Sequence, residues 1–180
     1  MKKQSLHIRD LCIIVLFTAV IVIMAQIVSP MPFGVPFTMQ TFAITLAGIV
    51  LDSKNGAIAS IIYVMLGAIG LPVFANFTGG WQSIAGPTGG FILSFPLLAY
   101  LTGLGMELRS KWKGFSIVNL IFGTCINLLC GAMMFSAVTG SPLIAGFTAC
   151  VIPFIPATII KAVLAYVLGF KIRKRLQAFL

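Results

Sequence analysis

Residues 144–175 read IAGFTACVIPFIPATIIKAVLAYVLGFKIRKR. Between Ile144 and Phe170 the only charge is Lys161. A charge at the centre of a bilayer costs at least ~2.5–3.5 kcal/mol on the insertion scale, so such residues face a bundle interior or a cavity and often mark a substrate site. Lys161 stands ten residues before Lys171, where a basic tail begins. At ~1.5 Å per helical residue that separation is ~15 Å, about half of a ~30 Å hydrocarbon core. One side chain cannot climb that distance, and a cation held near mid-depth points to an anionic ligand. Pro156 removes a helical hydrogen bond about a turn earlier. Broken helices of this kind are tolerated beside cavities.

The rest of the chain fits that reading. Its 180 residues are 59% hydrophobic and 8% charged, the balance of an all-α integral membrane protein. Six spans of ~20 residues use ~120 residues and leave only loops and short tails. We therefore expect one membrane domain over residues 1–180, with spans near 11–29, 38–51, 56–70, 89–106, 116–138 and 144–170. Lys2, Lys3 and Arg9 precede the first apolar run as in a signal peptide. That run is too long for one, Asp10 abuts it, and no small-x-small cleavage site follows, so it reads as the first membrane helix.

Charge distribution tests the span count. With six spans, Lys2, Lys3, Arg9, Lys54, Arg109, Lys111, Lys113, Lys171, Arg173, Lys174 and Arg175 all fall on one side. The other side carries no Lys or Arg, and Lys161 is the twelfth basic residue. By the positive-inside rule both termini are cytoplasmic, and the connectors at 30–37, 71–88 and 139–142 face outward. Five or seven spans would spoil the partition.

Several functions are disfavoured. The lone His7 is in the N-terminal tail, and Asp10, Asp52 and Glu107 stand at predicted helix ends, so no metal site is expected. Cys12, Cys125, Cys130 and Cys150 lie in apolar segments without a Cys-x-x-Cys pair and read as small hydrophobes. No acid or His at membrane depth could serve Lys161 as an acid–base partner, which argues against an intramembrane enzyme. No Gly-Lys dipeptide occurs, hence no P-loop, and the chain cannot use ATP itself. Neither a cofactor nor a nucleic-acid partner is expected.

Two outward stretches are unusual. The connector LPVFANFTGGWQSIAGPT at 71–88 carries no charge yet contains Phe74, Phe77 and Trp81. It must lie on the interface or fold over a cavity. Trp81 alone fits an interfacial belt, whereas the glycines with Asn76, Thr78 and Gln82 favour a lid with exposed backbone donors. In Val35-Pro36-Phe37-Thr38-Met39-Gln40-Thr41, Thr38 can cap the second span, while Gln40 and Thr41 open a hydrophobic stretch. Gly123, Asn127 and Gly131 share one helix face, as do Gly56, Ser60, Tyr63 and Gly67. Such stripes mediate close helix packing in lipid, although Asn127 and Tyr63 can also reach a central pocket.

Together these residues resemble the BioY family, the biotin-specific S components of energy-coupling factor (ECF) transporters. The resemblance covers nearly the whole chain. Its strongest parts are Pro36-Phe37-Thr38-Met39-Gln40-Thr41, Gly67-Ala68-Ile69-Gly70-Leu71-Pro72-Val73-Phe74-Ala75, Gly86-Pro87-Thr88-Gly89-Gly90 with Phe91, and Pro153-Phe154-Ile155-Pro156 followed by Lys161. It implies a six-helix bundle in a prokaryotic cell membrane that captures biotin from outside, docked to a transmembrane coupling protein and two cytoplasmic ATPases. Lys161 would take the biotin carboxylate. Asn76, Gln40 and Gln82 would serve the ureido ring, and Trp81, Phe74 and Phe91 would wall the sulfur ring and alkyl chain. Among these, Asn76 and Lys161 best match positions where the family binds ligand. The chain departs from the family twice. Ala157-Thr158 replaces the usual Gly-Asp, removing an acid three residues before Lys161 and leaving a bound carboxylate as its main counter-ion. The small-x-x-x-small docking face of the first helix reads Thr18 and Val22 here, with Ala19 and Ala25 nearby.

Overall fold

The computed structural model describes residues 8–29 and 35–178. Lys2, Lys3, His7 and the first five residues of the connector at 30–37 lie outside them. The described chain is mostly helical. Helix α1 is Ile8–Ala25, α2 is Gln40–Ala68, α3 is Trp81–Ala85 and α4 is Gly89–Glu107. Then follow α5, Phe115–Thr139, α6, Leu143–Cys150, and α7, Ile155–Ala178. By length and apolarity, five helical segments among the described residues can cross a membrane, with α6 and α7 forming one of them.

The long α2 is two helices end to end. Asp52 interrupts it at φ 72°, ψ 172°, a conformation otherwise nearly confined to glycine. A Cβ placed on Gly56 would lie 2.7 Å from the Gly48 Cα. Eight residues along a continuous helix would be ~12 Å apart, so the chain doubles back at Asp52. The connection between the spans expected at 38–51 and 56–70 is thus compressed into one residue, because Ser53 starts the second helix directly. Partners hold this reversal. Glu107 Oε1 accepts the Ser53 N–H at 2.7 Å. Arg173 forms an ion pair with Asp52 and donates to the Ile49 carbonyl at 2.8 Å. The ends of three helices meet there, opposite the connector at 71–88.

Helix α4 is the centre of the bundle, with α2 on one side and α5 on the other. Apolar burial cannot drive this association in lipid, whose tails are as apolar as the side chains; close backbone approach does so instead. On the α2 side, a Cβ at Gly48 would collide with the Ala99 carbonyl and the Thr102 hydroxyl. On the α5 side, Gly123 faces Leu98 and Leu101, and Gly131 faces the Phe91 ring. Both small-residue stripes therefore serve packing, and Gly67 takes the Phe74 ring.

Other boundaries differ from the sequence reading. Helix α1 stops at Ala25 rather than continuing to 29, because Val28–Ser29 (β1) pairs antiparallel with Phe37–Thr38 (β2). Met39, not Thr38, takes the N-cap position of α2, although the Thr38 hydroxyl still accepts the Gln40 N–H at 3.3 Å. The connector at 71–88 contains a 3₁₀ turn, Ala75–Phe77, and the short helix α3. The last segment bends through a 3₁₀ turn, Ile152–Phe154, where Pro153 interrupts it, and α7 continues to Ala178 instead of stopping at 170. Lys and Arg are good helix formers, so the basic tail carries no stop signal. Of the cysteines, Cys150 is buried, whereas Cys12 and Cys125 lie on the outer surface.

The α2–α4 contact gives a direct test. Gly48→Leu inserts a side chain where backbone already stands and should cost about 1–3 kcal/mol or more. It should lower the unfolding temperature of the detergent-purified protein clearly. Ala19→Leu, on the exposed face of α1, should leave that temperature almost unchanged.

Candidate functional site

A cavity of about 340 Å³ opens at the end of the bundle opposite Asp52. The start of α2, the connector, α3, and the facing sides of α4, α5 and α7 line it. Helix α7 presents Thr158 and Lys161 to it, one face of the helix, with Phe154 of the preceding 3₁₀ turn beside them and Ala165 buried one turn further on.

Lys161 is only 6% exposed. Its ammonium donates to the Thr38 carbonyl and to Thr41 Oγ1, each at 3.0 Å, and lies 4.0 Å from the centroid of the Phe37 ring. The backbone acceptor and the aromatic face partly replace water. No carboxylate among the described residues pairs with it. Lys161 therefore carries an uncompensated positive charge on the cavity wall.

Thr38 starts a chain of hydrogen bonds away from the lysine. Its hydroxyl donates to Gln40 Oε1 at 2.9 Å, and Gln40 Nε2 donates to Tyr63 Oη at 2.5 Å. Tyr63 Oη donates to the Val73 carbonyl at 3.2 Å. Gln26, at the end of α1, then grips the connector. Its Nε2 donates to the Val73 and Phe74 carbonyls at 3.3 and 3.1 Å, and its Oε1 accepts the Phe77 N–H at 2.9 Å. That grip holds a costly backbone: Asn76 and Phe77 both have left-handed φ, 56° and 55°. Asn tolerates this conformation; Phe seldom does. The result presents Asn76 to the cavity.

Six of the seven residues given ligand roles line the cavity, Lys161, Asn76, Gln82, Gln40, Phe74 and Phe91, and so does Thr158, the position of the replaced acid. Trp81 does not. It is 70% exposed at the first position of α3 and is absent from the cavity lining, so it fits the interfacial reading rather than the wall. Gln40 is nearly buried, and its amide is engaged at both ends, which makes it first a structural link. The wall also includes Asn127, which donates to the Phe91 carbonyl at 3.0 Å and to Ser94 Oγ at 2.8 Å. Tyr63 stands behind the wall.

The sequence reading missed Gln26 and Phe37 as contributors. A lone Gln ending an apolar helix is a weak signal, and Phe37 gains meaning only once α7 brings Lys161 over it. The docking face on α1 also needs correction. Thr18 is buried, with its hydroxyl on the Ile14 and Ala59 carbonyls, and Ala25 is fully buried. Val22 packs against the core, so of the four positions only Ala19 is on the exposed face. The inward face is spent on α2.

Comparison with known proteins agrees with this architecture. The BioY family model matches residues 1–178. A probable biotin transporter BioY of Pyrococcus horikoshii is 37% identical over 166 residues, 92% of this chain and 96% of that protein. The biotin transporter BioY of Thermotoga maritima is 36% identical over 162 residues, 88% of this chain and 92% of that one. The crystal structure of the S-component for biotin from an ECF-type ABC transporter superposes with a TM-score of 0.85 at 30% identity, covering 97% of this chain and 95% of that chain. Matched over residues 1–178 by the family model, and 37% and 36% identical to these two transporters over the aligned residues, the chain belongs to the BioY family.

Proposed function

We propose that this protein is the high-affinity biotin-binding S component of an ATP-driven vitamin importer. It is one membrane domain of six spans, with both termini inside a prokaryotic cell membrane. Biotin enters the cavity from outside, while a transmembrane coupling protein and two cytoplasmic ATPases supply the energy. It is a transport subunit rather than an enzyme and uses no cofactor. The observation that carries this reading is the unpaired Lys161 ammonium on the wall of a mainly apolar cavity. Biotin offers the matching chemistry: a carboxylate, an apolar chain and sulfur ring, and a ureido group that needs a few polar partners. Asn76 and Gln82 supply those partners at the connector, and Phe74 and Phe91 supply apolar wall.

The six-span count is supported by the reversal at Asp52, which turns the 29 residues of α2 into two crossings. The orientation is supported by the basic residues around that reversal and the α4–α5 loop. The family relation and the named biotin transporters favour biotin over another small anionic vitamin. That alternative, and a self-sufficient biotin facilitator, are separated by a ligand panel and by uptake in cells lacking the coupling proteins.

Calorimetric titration of the detergent-purified protein tests the central claim. Biotin should bind tightly and biotin amide much more weakly. Lys161→Ala should weaken biotin about 10- to 100-fold, the worth of a charge-assisted hydrogen bond, and should nearly erase the preference for the acid over the amide. Equal binding of acid and amide by the unaltered, folded protein would sink the carboxylate assignment.

Thr158→Asp restores an acid beside the lysine. Lys161 then has an internal counter-ion, so the acid-over-amide ratio should shrink severalfold; an unchanged ratio would count against the role given to Thr158. Gln26→Leu leaves Lys161 intact but releases the connector. It should weaken biotin roughly 10-fold, a loss of the order of one or two hydrogen bonds. Amide exchange over residues 73–77 should rise in parallel.

A further inference from the structure

Helices α5 and α7 scarcely touch. A groove of about 600 Å³ separates them, lined by Ile117 and Ile121 of α5, Ile155, Ile159 and Val163 of α7, and Tyr166 at one end. Each of the five aliphatic residues is at least 43% exposed. Thr124 and Thr158 border both this groove and the cavity, so the groove runs at the depth of Lys161, within the hydrocarbon layer. Only an apolar occupant suits such a slot there.

The Tyr166 end is different. Arg109 donates to the Tyr166 hydroxyl, which also contacts the Ser116 hydroxyl at 3.0 Å, and the guanidinium lies 4.3 Å from the Phe170 ring centroid. Tyr166, Phe170 and Lys174 follow one another at i, i+4, i+8 on α7, and Lys111 and Lys113 are exposed on the adjoining loop. The acids are engaged elsewhere: Asp10 pairs with Arg9, Asp52 with Arg173, and Glu107 holds the Ser53 N–H. No carboxylate among the described residues pairs with Arg109, Lys111, Lys113 or Lys174. Trp112, exposed and edge-on to Phe115, marks the membrane interface at this level.

We propose that this groove is a binding site for one anionic phospholipid, with an acyl chain between α5 and α7 and the phosphate among Arg109, Lys113 and Lys174. An apolar slot crowned by unpaired cations at the cytoplasmic interface matches both halves of such a lipid. A second copy of this chain, inserted in the same orientation, would bring the same basic end against it. This site rests on the membrane orientation proposed above, not on what the cavity holds.

Native mass spectrometry of the delipidated, detergent-solubilised protein tests the site, titrated with phosphatidylglycerol or phosphatidylcholine. One phosphatidylglycerol should bind about 10-fold or more tightly than phosphatidylcholine. The double variant Lys113→Gln, Lys174→Gln should lose roughly 30-fold of that affinity, since each surface cation contributes about 5-fold. Ile121→Trp, which fills the groove, should abolish the single tight site, whereas Val15→Trp on the outer face of α1 should not. If Ile121→Trp does not fold, the exposed lysine pair still decides. Equal affinity for the two lipids, retention unaffected by the lysine pair, or a protein dimer that excludes lipid and is broken by Ile121→Trp would each overturn the proposal.

Discussion

An ammonium group in a dry bundle must find acceptors within reach, and the architecture around the cavity follows from that demand. Lys161 takes the Thr38 carbonyl, the Thr41 hydroxyl and the face of Phe37. These acceptors are available because β2 ends at Thr38 and α2 has only begun at Gln40, so the Thr38 carbonyl faces α7. Thr38 is in turn fixed by Gln40, Gln40 by Tyr63, and Tyr63 by the connector that Gln26 holds. The charge and the strained backbone at Asn76–Phe77 thus belong to one polar network. Such networks are worth most when every member is satisfied, because each unpaired group in a low-dielectric interior is costly.

A second constraint governs the bundle as a whole. Lipid offers no hydrophobic incentive for helices to associate, so the chain gains contact by removing side chains where backbones meet. Gly48 against α4, Gly56 against Gly48, and Gly90 against the Cys130 carbonyl of α5 are instances of one solution. It places α4 at the centre and leaves α5 and α7 apart, because α7 is tied to α2 instead. The cavity at one end and the groove at the side both follow from this arrangement.

Much of this was legible in the sequence, and the limits have physical causes. Lys161 could be read because one charge among apolar residues has few explanations. The long helices could be read from the apolar runs, though not their ends, and the two stripes from helical spacing. The reading failed where meaning depends on what comes near in space. Phe37 is an ordinary aromatic until a lysine 124 positions later lies over it. Gln26 is an ordinary polar residue until the connector folds back upon it. The resemblance put Trp81 on the cavity wall, yet its place at the start of a five-residue helix turns it outward. Thr18 and Ala25 resembled a docking surface because small residues suit close contact, but both are buried, and Thr18 is bonded to Ala59 of α2.

Helix α7 is fastened to the first half of α2 at two levels. Near one end Lys161 holds Thr38 and Thr41; near the other Arg173 holds Ile49 and Asp52. The two fastenings are twelve residues apart on α7, ~18 Å along its axis. Two rods pinned at both ends behave as one beam, able to move together but not to hinge apart. For α7 to swing away from α2, both fastenings would have to break together. Along the seam between α5 and α7, by contrast, the two helices scarcely touch.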